Sequence, residues 1–103
     1  MRTIAVDLDG VIHSFHKGWH DGTLYGYVID GAQKEIKRLQ DEKYIIMIFT
    51  TRTNFKDIKK WLSEKGINNV EVTNIKPKDA IAFIDDRAIR FENNWSSIVK
   101  YFI

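Results

Sequence analysis

The stretch Ile4-Ala5-Val6-Asp7-Leu8-Asp9-Gly10 determines how the whole sequence is interpreted. Its three apolar residues predict a short buried strand, and a carboxylate follows at once. Asp7 and Asp9 are alternate residues leaving that strand, so both side chains can face one pocket. Asp9-Gly10 is also ordinary turn chemistry. Taken alone, the two carboxylates are therefore explained slightly better as a structural turn than as a site.

Outward from this stretch, short apolar runs alternate with helical patterns. Asp30 is expected to cap a helix that runs to about Lys43, and a second helix is expected to end at Gly66. Tyr44–Phe49 is a continuous apolar run, typical of a strand buried on both faces. The tail from Trp95 fits either a final helix or an edge strand. Two short runs, Val70–Thr73 and Ala80–Ile84, are further strand candidates. The apolar residues that recur at helical spacing are Ala32, Ile36 and Leu39 in the first helix, and Phe55, Ile58, Trp61 and Leu62 in the second.

Strand–helix alternation predicts an α/β fold with a mostly parallel, Rossmann-like sheet and helices on its faces. The 103 residues predict a single domain, 1–103. In such sheets, ligands bind beyond the carboxyl ends of the strands. Asp7, Thr50 and Asp85 each follow a predicted strand, so we expect them to share one site.

The composition excludes several classes of protein. There is no cysteine, which rules out disulfides, thiolate metal sites and a cysteine nucleophile. The net charge of +2 is too small to indicate nucleic acid by electrostatics alone. No apolar run approaches transmembrane length, and the N-terminus is too short in apolar residues for a signal peptide. We therefore expect a cytoplasmic protein with no membrane partner.

A second acidic pair, Asp85-Asp86, follows the apolar run Ile81–Ile84. Adjacent acids after a buried strand are costly unless they are paired, metal-bound or facing solvent. One interpretation is a solvated loop with Arg87 as the partner. Acids that meet from two strand ends favour a metal site instead. Magnesium suits such a site because it takes carboxylate oxygens, waters and a substrate phosphate oxygen.

Thr50 ends the second apolar run, where its hydroxyl and the N–H groups of the following helix can donate to a phosphate oxygen. Thr51 and Thr53 are explained more simply as helix caps. Lys76 precedes Pro77, which favours an extended loop. An ammonium group there can offset phosphoryl charge, although a surface lysine is the simpler explanation.

In combination, these segments resemble the motifs of the haloacid dehalogenase superfamily. Asp7-Leu8-Asp9-Gly10-Val11 resembles its first motif, and Ile46–Thr50 resembles its second. Thr50-Thr51-Arg52 is similar to the Thr-x-Arg form found in its phosphatases. Lys76 resembles the lysine of the third motif, and Phe83-Ile84-Asp85-Asp86 resembles the fourth. All four occur in the expected order over about residues 3–90, which makes the resemblance specific.

The resemblance implies a three-layer α/β/α sandwich and a Mg²⁺-dependent phosphomonoester hydrolase. Asp7 would attack phosphorus and become a phosphoaspartate, and Asp9 would protonate the leaving group and then activate water. Because a nucleophile must be ionised while an acid must carry a proton, the two carboxylates need different surroundings. We expect metal contact to keep Asp7 ionised and Asp9, turned away from the metal, to stay protonated.

The resemblance also implies the remaining site residues. The metal would be held by the Asp7 side chain, the Asp9 backbone carbonyl and Asp86, with Asp85 close by; which of Asp85 and Asp86 is the direct ligand stays open. Lys78 is a rival to Lys76 as the phosphate-binding lysine. The expected contacts to the phosphoryl group and the substrate are Thr50, Lys76, Thr51, Arg52 and Gly10.

Residues 10–27 are rich in glycine and aromatic residues and too short for the cap domain of many relatives. We expect a capless enzyme, monomer or homodimer, with a flap in which some aromatics are packed and others exposed. Exposed aromatics can stack on a base, which weakly indicates a nucleotide or a nucleic-acid end as substrate. His13, His16 and His20 indicate a transition-metal site only weakly.

Two other classes stay open. A non-catalytic phospho-acceptor module of the receiver type also uses an acidic cluster, a threonine and a lysine. Its phosphorylated aspartate follows the third strand and its lysine comes last, whereas here Lys76 precedes Asp85-Asp86. A degenerate binding protein is the third class, and the complete set of motif residues argues against it.

Overall fold

The fold is described by a computed structural model that covers residues 2–103. Four strands form one parallel sheet in the order β3-β2-β1-β4, and three helices complete the secondary structure of this part of the chain. This α/β arrangement is compatible with a Rossmann-like fold. The elements are β1 (Thr3–Asp7), α1 (Ala32–Asp41), β2 (Ile45–Phe49), α2 (Phe55–Glu64), β3 (Glu71–Thr73), β4 (Ala80–Ile84) and α3 (Trp95–Val99).

One hydrophobic core joins α1 and α2 to the same face of the sheet. Alternate residues of a strand point to one face, and Ile4, Val6, Ile46 and Ile48 all belong to this core. The helices contribute Ile36 from α1 and Ile58, Trp61 and Leu62 from α2. Right-handed crossovers explain the arrangement, because β1–α1–β2 and β2–α2–β3 advance across the sheet in the same direction.

The other face of the sheet is covered much less. No helix crosses it between β3 and β4, since the connection is the short segment 74–79. Ile45 in β2 is 39 % exposed, and Ile81 in β4 is 52 % exposed. Within residues 2–103, α3 does not approach any other strand or helix closely. The described residues therefore give a sheet with one well-packed helical layer.

Two expectations about burial were wrong. Tyr44–Phe49 is not buried on both faces, because only Ile46 and Ile48 are fully enclosed. The run in β4 looks like a core strand, yet its residues are mostly exposed. Both strands were interpreted from apolar residues alone, and that signal does not show whether a second layer covers them.

The remaining elements follow the predicted pattern, with one corrected cap. Asp30 does not cap α1: Gly31 occupies the N-cap position with a φ of 90°, and no side chain caps the helix. Asp30 therefore lies one residue before the N-cap position, where its side chain does not cap the helix. Gly66 ends α2 with a φ of 78°, as predicted. The tail contains the short helix α3 rather than an edge strand. None of the helices in residues 2–103 has the length and apolarity needed to cross a bilayer.

Candidate active site

The site begins with three carboxylates at the carboxyl ends of β1 and β4. Val6 pairs with Ile84 in parallel register, so Asp7 and Asp85 leave the two strands side by side. One carboxylate oxygen each from Asp7, Asp85 and Asp86 lies within 4.8 Å of the other two. The predicted meeting of acids from two strand ends is therefore present in the structure.

Gly10 allows Asp86 to reach this position. Its φ is 88°, in the left-handed region that favours glycine. A Cβ atom on residue 10 would overlap Asp86 Oδ2 and lie 2.8 Å from Asp86 Cγ. The Gly10 N–H is already donated to the carbonyl oxygen of His13. Gly10 therefore serves the acidic cluster through its missing side chain, and its N–H is not free for a substrate.

The acidic cluster has no compensating ion pair in the part of the chain that the structure describes. Among residues 2–103, no Lys, Arg or His forms an ion pair with Asp7, Asp85 or Asp86. Burial and the neighbouring carboxylates, chiefly that of Asp85 and also that of Asp86, together raise the pKa of Asp7 to about 6, against the opposing effect of a hydrogen bond from the Leu8 backbone. A group of like charges in this state favours protonation or a bound cation.

Asp9 has different surroundings, although it is only two residues from Asp7. The Arg52 guanidinium donates two hydrogen bonds to the Asp9 carboxylate, from Nε to Oδ2 at 2.8 Å and from Nη2 to Oδ1 at 3.1 Å. His13 Nδ1 lies 2.9 Å from Asp9 Oδ1. A carboxylate with three such donors is held as an acceptor. These contacts differ from those of Asp7; that Asp9 carries a proton stays a prediction.

Arg52 is buried, with only 4 % of its surface exposed, and it connects β2 to the flap. Its Nη1 donates to the Gly22 carbonyl oxygen at 2.6 Å. Its guanidinium carbon lies 5.2 Å from the centre of the Trp19 ring and 5.8 Å from that of Phe15, which are cation–π distances. Arg52 was predicted as a substrate contact; in this structure it holds Asp9 and anchors the flap.

His13 was missed as a member of the site. It has no exposed surface, and burial lowers its pKa below the usual range against the opposing effect of the Asp9 carboxylate. The sequence signal that could have identified His13 was its position four residues after Asp9. The N–H groups of Ile12 and His13 both donate to the Leu8 carbonyl, so the chain makes a helical turn after β1. Residues four apart are neighbours on such a turn, which places His13 beside Asp9.

The flap is an irregular hairpin. Ser14 N–H donates to the Tyr27 carbonyl and Ile29 N–H to the Ile12 carbonyl, but no continuous strand forms. Phe15 and Tyr25 are partly buried, whereas Trp19 and Tyr27 are exposed, as predicted for a mixed aromatic flap. His16 and His20 are exposed, and neither belongs to a group of three or more potential metal ligands within residues 2–103.

A cavity of about 330 Å³ opens between the acidic cluster and the flap. Thr50 and Thr51 reach it from the end of β2, and the Thr50 side chain accepts the Arg52 N–H at 3.1 Å. Neither threonine caps α2, whose N-cap is Asn54. The lining residues are Asp7, Asp9, Phe15, Trp19, Phe49, Thr50, Thr51, Arg52, Asp85, Asp86 and Arg87.

The predicted lysines are not brought to this cavity. Lys76 and Lys78 are exposed in the segment 74–79 and do not line it. The Lys76 ammonium lies 4.7 Å from the centre of the Phe83 ring. Arg87 lines the cavity, and its backbone N–H donates to Asp85 Oδ1 at 2.8 Å, but its side chain forms no ion pair with the acids. Arg52 and Arg87 are therefore the cationic residues at the cavity.

Comparison of the chain with protein-family models, curated proteins and solved structures gave no match. The site is accordingly interpreted from its own geometry.

Proposed function

We propose that this chain is a Mg²⁺-dependent phosphomonoester hydrolase with Asp7 as the nucleophile, a capless member of the haloacid dehalogenase superfamily with a three-layer Rossmann-like fold. The observation that carries the proposal is the cluster of Asp7, Asp85 and Asp86 at two neighbouring strand ends. Their oxygens lie within 4.8 Å of one another, and no Lys, Arg or His among residues 2–103 forms an ion pair with them. The order of the motif residues supports the same activity.

The donor set fits a hard divalent cation. It consists of carboxylate oxygens only, which suit Mg²⁺ better than a softer transition metal. The raised pKa of Asp7 supports the fit, because a cation would favour the ionised carboxylate that a nucleophile requires. Asp7, Asp86 and the Asp9 backbone carbonyl would hold the ion, with Asp85 beside them. When bound, the cation would supply charge compensation for the carboxylates and the phosphoryl oxygens.

The proposed reaction has two displacements at phosphorus. First, an Asp7 carboxylate oxygen forms a bond to phosphorus while the bond to the leaving oxygen breaks, and the leaving group departs with its electron pair. Second, a water oxygen attacks the phosphoaspartate, Asp9 takes the water proton, and the bond between phosphorus and Asp7 breaks to release orthophosphate. In the second step Asp9 acts as the base, which must be free to accept a proton.

Thr50, Thr51 and Arg87 are placed to bind the phosphoryl group, because each lines the cavity beside the acids. In the first step, a poor leaving group needs a proton. Asp9 can deliver this proton only if its carboxylate, which contacts Arg52 and His13, has first been protonated. The role of Lys76 or Lys78 at the phosphoryl group stays a prediction, as does a cytoplasmic location.

The nucleotide interpretation has one structural support. Trp19 is 65 % exposed and lines the rim of the cavity, where a flat ring can stack on it. A panel of mononucleotides, phosphate-ended oligonucleotides and sugar phosphates tests this substrate class. Preference for a base-containing substrate that is lost in Trp19→Ala supports it, and equal rates on sugar phosphates contradict it.

The test of the activity is release of phosphate from p-nitrophenyl phosphate with and without Mg²⁺. We expect Mg²⁺-dependent turnover in the wild type and none above background in Asp7→Asn. Asp79→Asn, which removes an exposed carboxylate outside the cluster, is the matched control and should retain activity. Circular dichroism checks that both variants fold. Full activity in Asp7→Asn would refute the mechanism, and a long-lived phosphoprotein without turnover would favour the phospho-acceptor module.

A further inference from the structure

His13 lies in the first half of the flap, enclosed between Asp9 and Gly26, and its two ring nitrogens have different partners. The Gly26 N–H donates to Nε2 at 2.9 Å, while Nδ1 lies 2.9 Å from Asp9 Oδ1. A backbone N–H can only donate, so Nε2 must be the acceptor. The ring proton therefore lies on Nδ1 and is donated to Asp9, a tautomer assigned from the hydrogen bonds.

The surroundings of His13 hold its ring in this orientation. Tyr25 and Trp61 contact it edge to face, with ring centres 5.1 and 5.2 Å away. The flap approaches so closely that a Cβ atom on residue 26 would lie 2.8 Å from His13 Nε2 and overlap Ser14 Oγ. Only a residue without a side chain lets the backbone reach the ring. The contact between the flap and His13 is thus specified by packing as well as by hydrogen bonding.

We propose that His13 is a positioning residue that holds the Asp9 carboxylate in the orientation needed to take the water proton, and that it links this carboxylate to the second half of the flap through Gly26. The inference rests on the proposed function. Arg52 binds both oxygens of Asp9 from one side, and His13 donates to Oδ1 as well. Without the His13 donor, Oδ1 keeps only the hydrogen bond of 3.1 Å from Arg52, so the orientation of the carboxylate is held less tightly.

The step that depends on the orientation of Asp9 is hydrolysis of the phosphoaspartate. One water proton moves to Asp9, the water oxygen bonds to phosphorus, and the bond to Asp7 breaks with its electrons returning to the Asp7 carboxylate. A good leaving group departs in the earlier step without a proton from Asp9. Loss of the His13 donor should therefore slow the second step alone when the substrate is an aryl phosphate.

Two substitutions separate the two hydrogen bonds of His13. In His13→Asn the amide nitrogen stands near the position of Nδ1 and can still donate to Asp9. In His13→Gln the longer side chain reaches the position of Nε2 and can still accept from Gly26, but it leaves Asp9 without this donor. His20→Gln, which changes an exposed flap histidine, is the matched control.

With p-nitrophenyl phosphate and Mg²⁺, we expect kcat of His13→Gln to fall about tenfold or more, but by less than the loss of the base itself, which contributes roughly 10²- to 10⁴-fold. Its kcat/KM should stay within about threefold of the wild type, because kcat/KM reports the steps through leaving-group departure. Phosphoprotein should accumulate in acid-quenched reactions followed by mass spectrometry. His13→Asn should recover most of kcat, and His20→Gln should match the wild type.

The outcomes distinguish this inference from the proposed function. No phosphate release by the wild type overturns both. An active wild type with equal losses of kcat and kcat/KM in both His13 variants, and no phosphoprotein, shows a structural role only and overturns the inference alone. If the variants do not fold, a ¹H–¹⁵N spectrum of the wild-type histidines decides: His13 should carry its proton on Nδ1, and a proton on Nε2 overturns the inference.

Discussion

At the scale of single residues, Asp7 and Asp9 show how position creates different chemistry in one side-chain type. Burial and two neighbouring carboxylates raise the pKa of Asp7 to about 6, while Asp9 accepts hydrogen bonds from Arg52 and His13. The two carboxylates therefore have different surroundings, which their different proposed roles require. A bound cation would further favour the ionised form of Asp7 that a nucleophile needs.

The pKa of Asp7 predicts a stability difference between the wild type and Asp7→Asn in EDTA. The folded-state pKa of about 6 lies above the ordinary aspartate pKa of 3.8, so ionisation of Asp7 destabilises the folded state. The wild type should therefore lose stability relative to Asp7→Asn as the pH rises from about 4 to about 6, and the difference should stay constant above that. Urea denaturation at several pH values measures this. A wild type that gains stability over this range contradicts the raised pKa.

At the scale of elements, the two outer strands differ in how they are covered. β3 lies next to α2 and contributes the buried Val72, whereas β4 is mostly exposed beside β1. The chain supplies two helices to one face and only the segment 74–79 between β3 and β4. As a result, apolar residues in β4 contribute less to the core than their type alone predicts.

A matched pair of substitutions tests this difference. Ile48→Ala in β2 removes a side chain with no exposed surface and should cost about 2–5 kcal/mol of unfolding free energy. Ile81→Ala in β4 removes a side chain that is 52 % exposed and should cost about 1 kcal/mol or less. Urea denaturation of both variants gives the two values. Equal losses would show that β4 is covered in solution.

At the scale of the whole molecule, the site exists only where β1, β2, β4 and the flap meet. Asp7, Thr50 and Asp85 are far apart in the chain but follow neighbouring strands of one parallel sheet. Arg52 and His13 then connect Asp9 to the flap on two sides. A ligand of the acidic cluster would therefore bind to the folded chain and not to the unfolded one.

This predicts that Mg²⁺ raises the thermal midpoint of unfolding. A ligand at 100 times its Kd stabilises the folded state by about 2.7 kcal/mol, which corresponds to roughly 10–20 °C for a domain of this size. Asp86→Asn should lose most of the shift, while Asp79→Asn should retain it, because Asp79 lies outside the cluster. Differential scanning fluorimetry with increasing Mg²⁺ measures the effect. An equal shift in all three proteins would indicate non-specific binding.

The sequence by itself determined the alternation of strands and helices, the parallel sheet, and the acids and Thr50 at the strand ends. These follow from local patterns, because apolar periodicity and strand-end position depend on residues close in the chain. Tertiary structure decided the rest. Whether β4 is covered, where the Lys76 side chain lies, and that Arg52 binds Asp9 depend on contacts between segments that are distant in the chain. The contact between His13 and Asp9 spans only four residues, but the contact between His13 and Gly26 spans thirteen. Local patterns do not encode such long-range contacts.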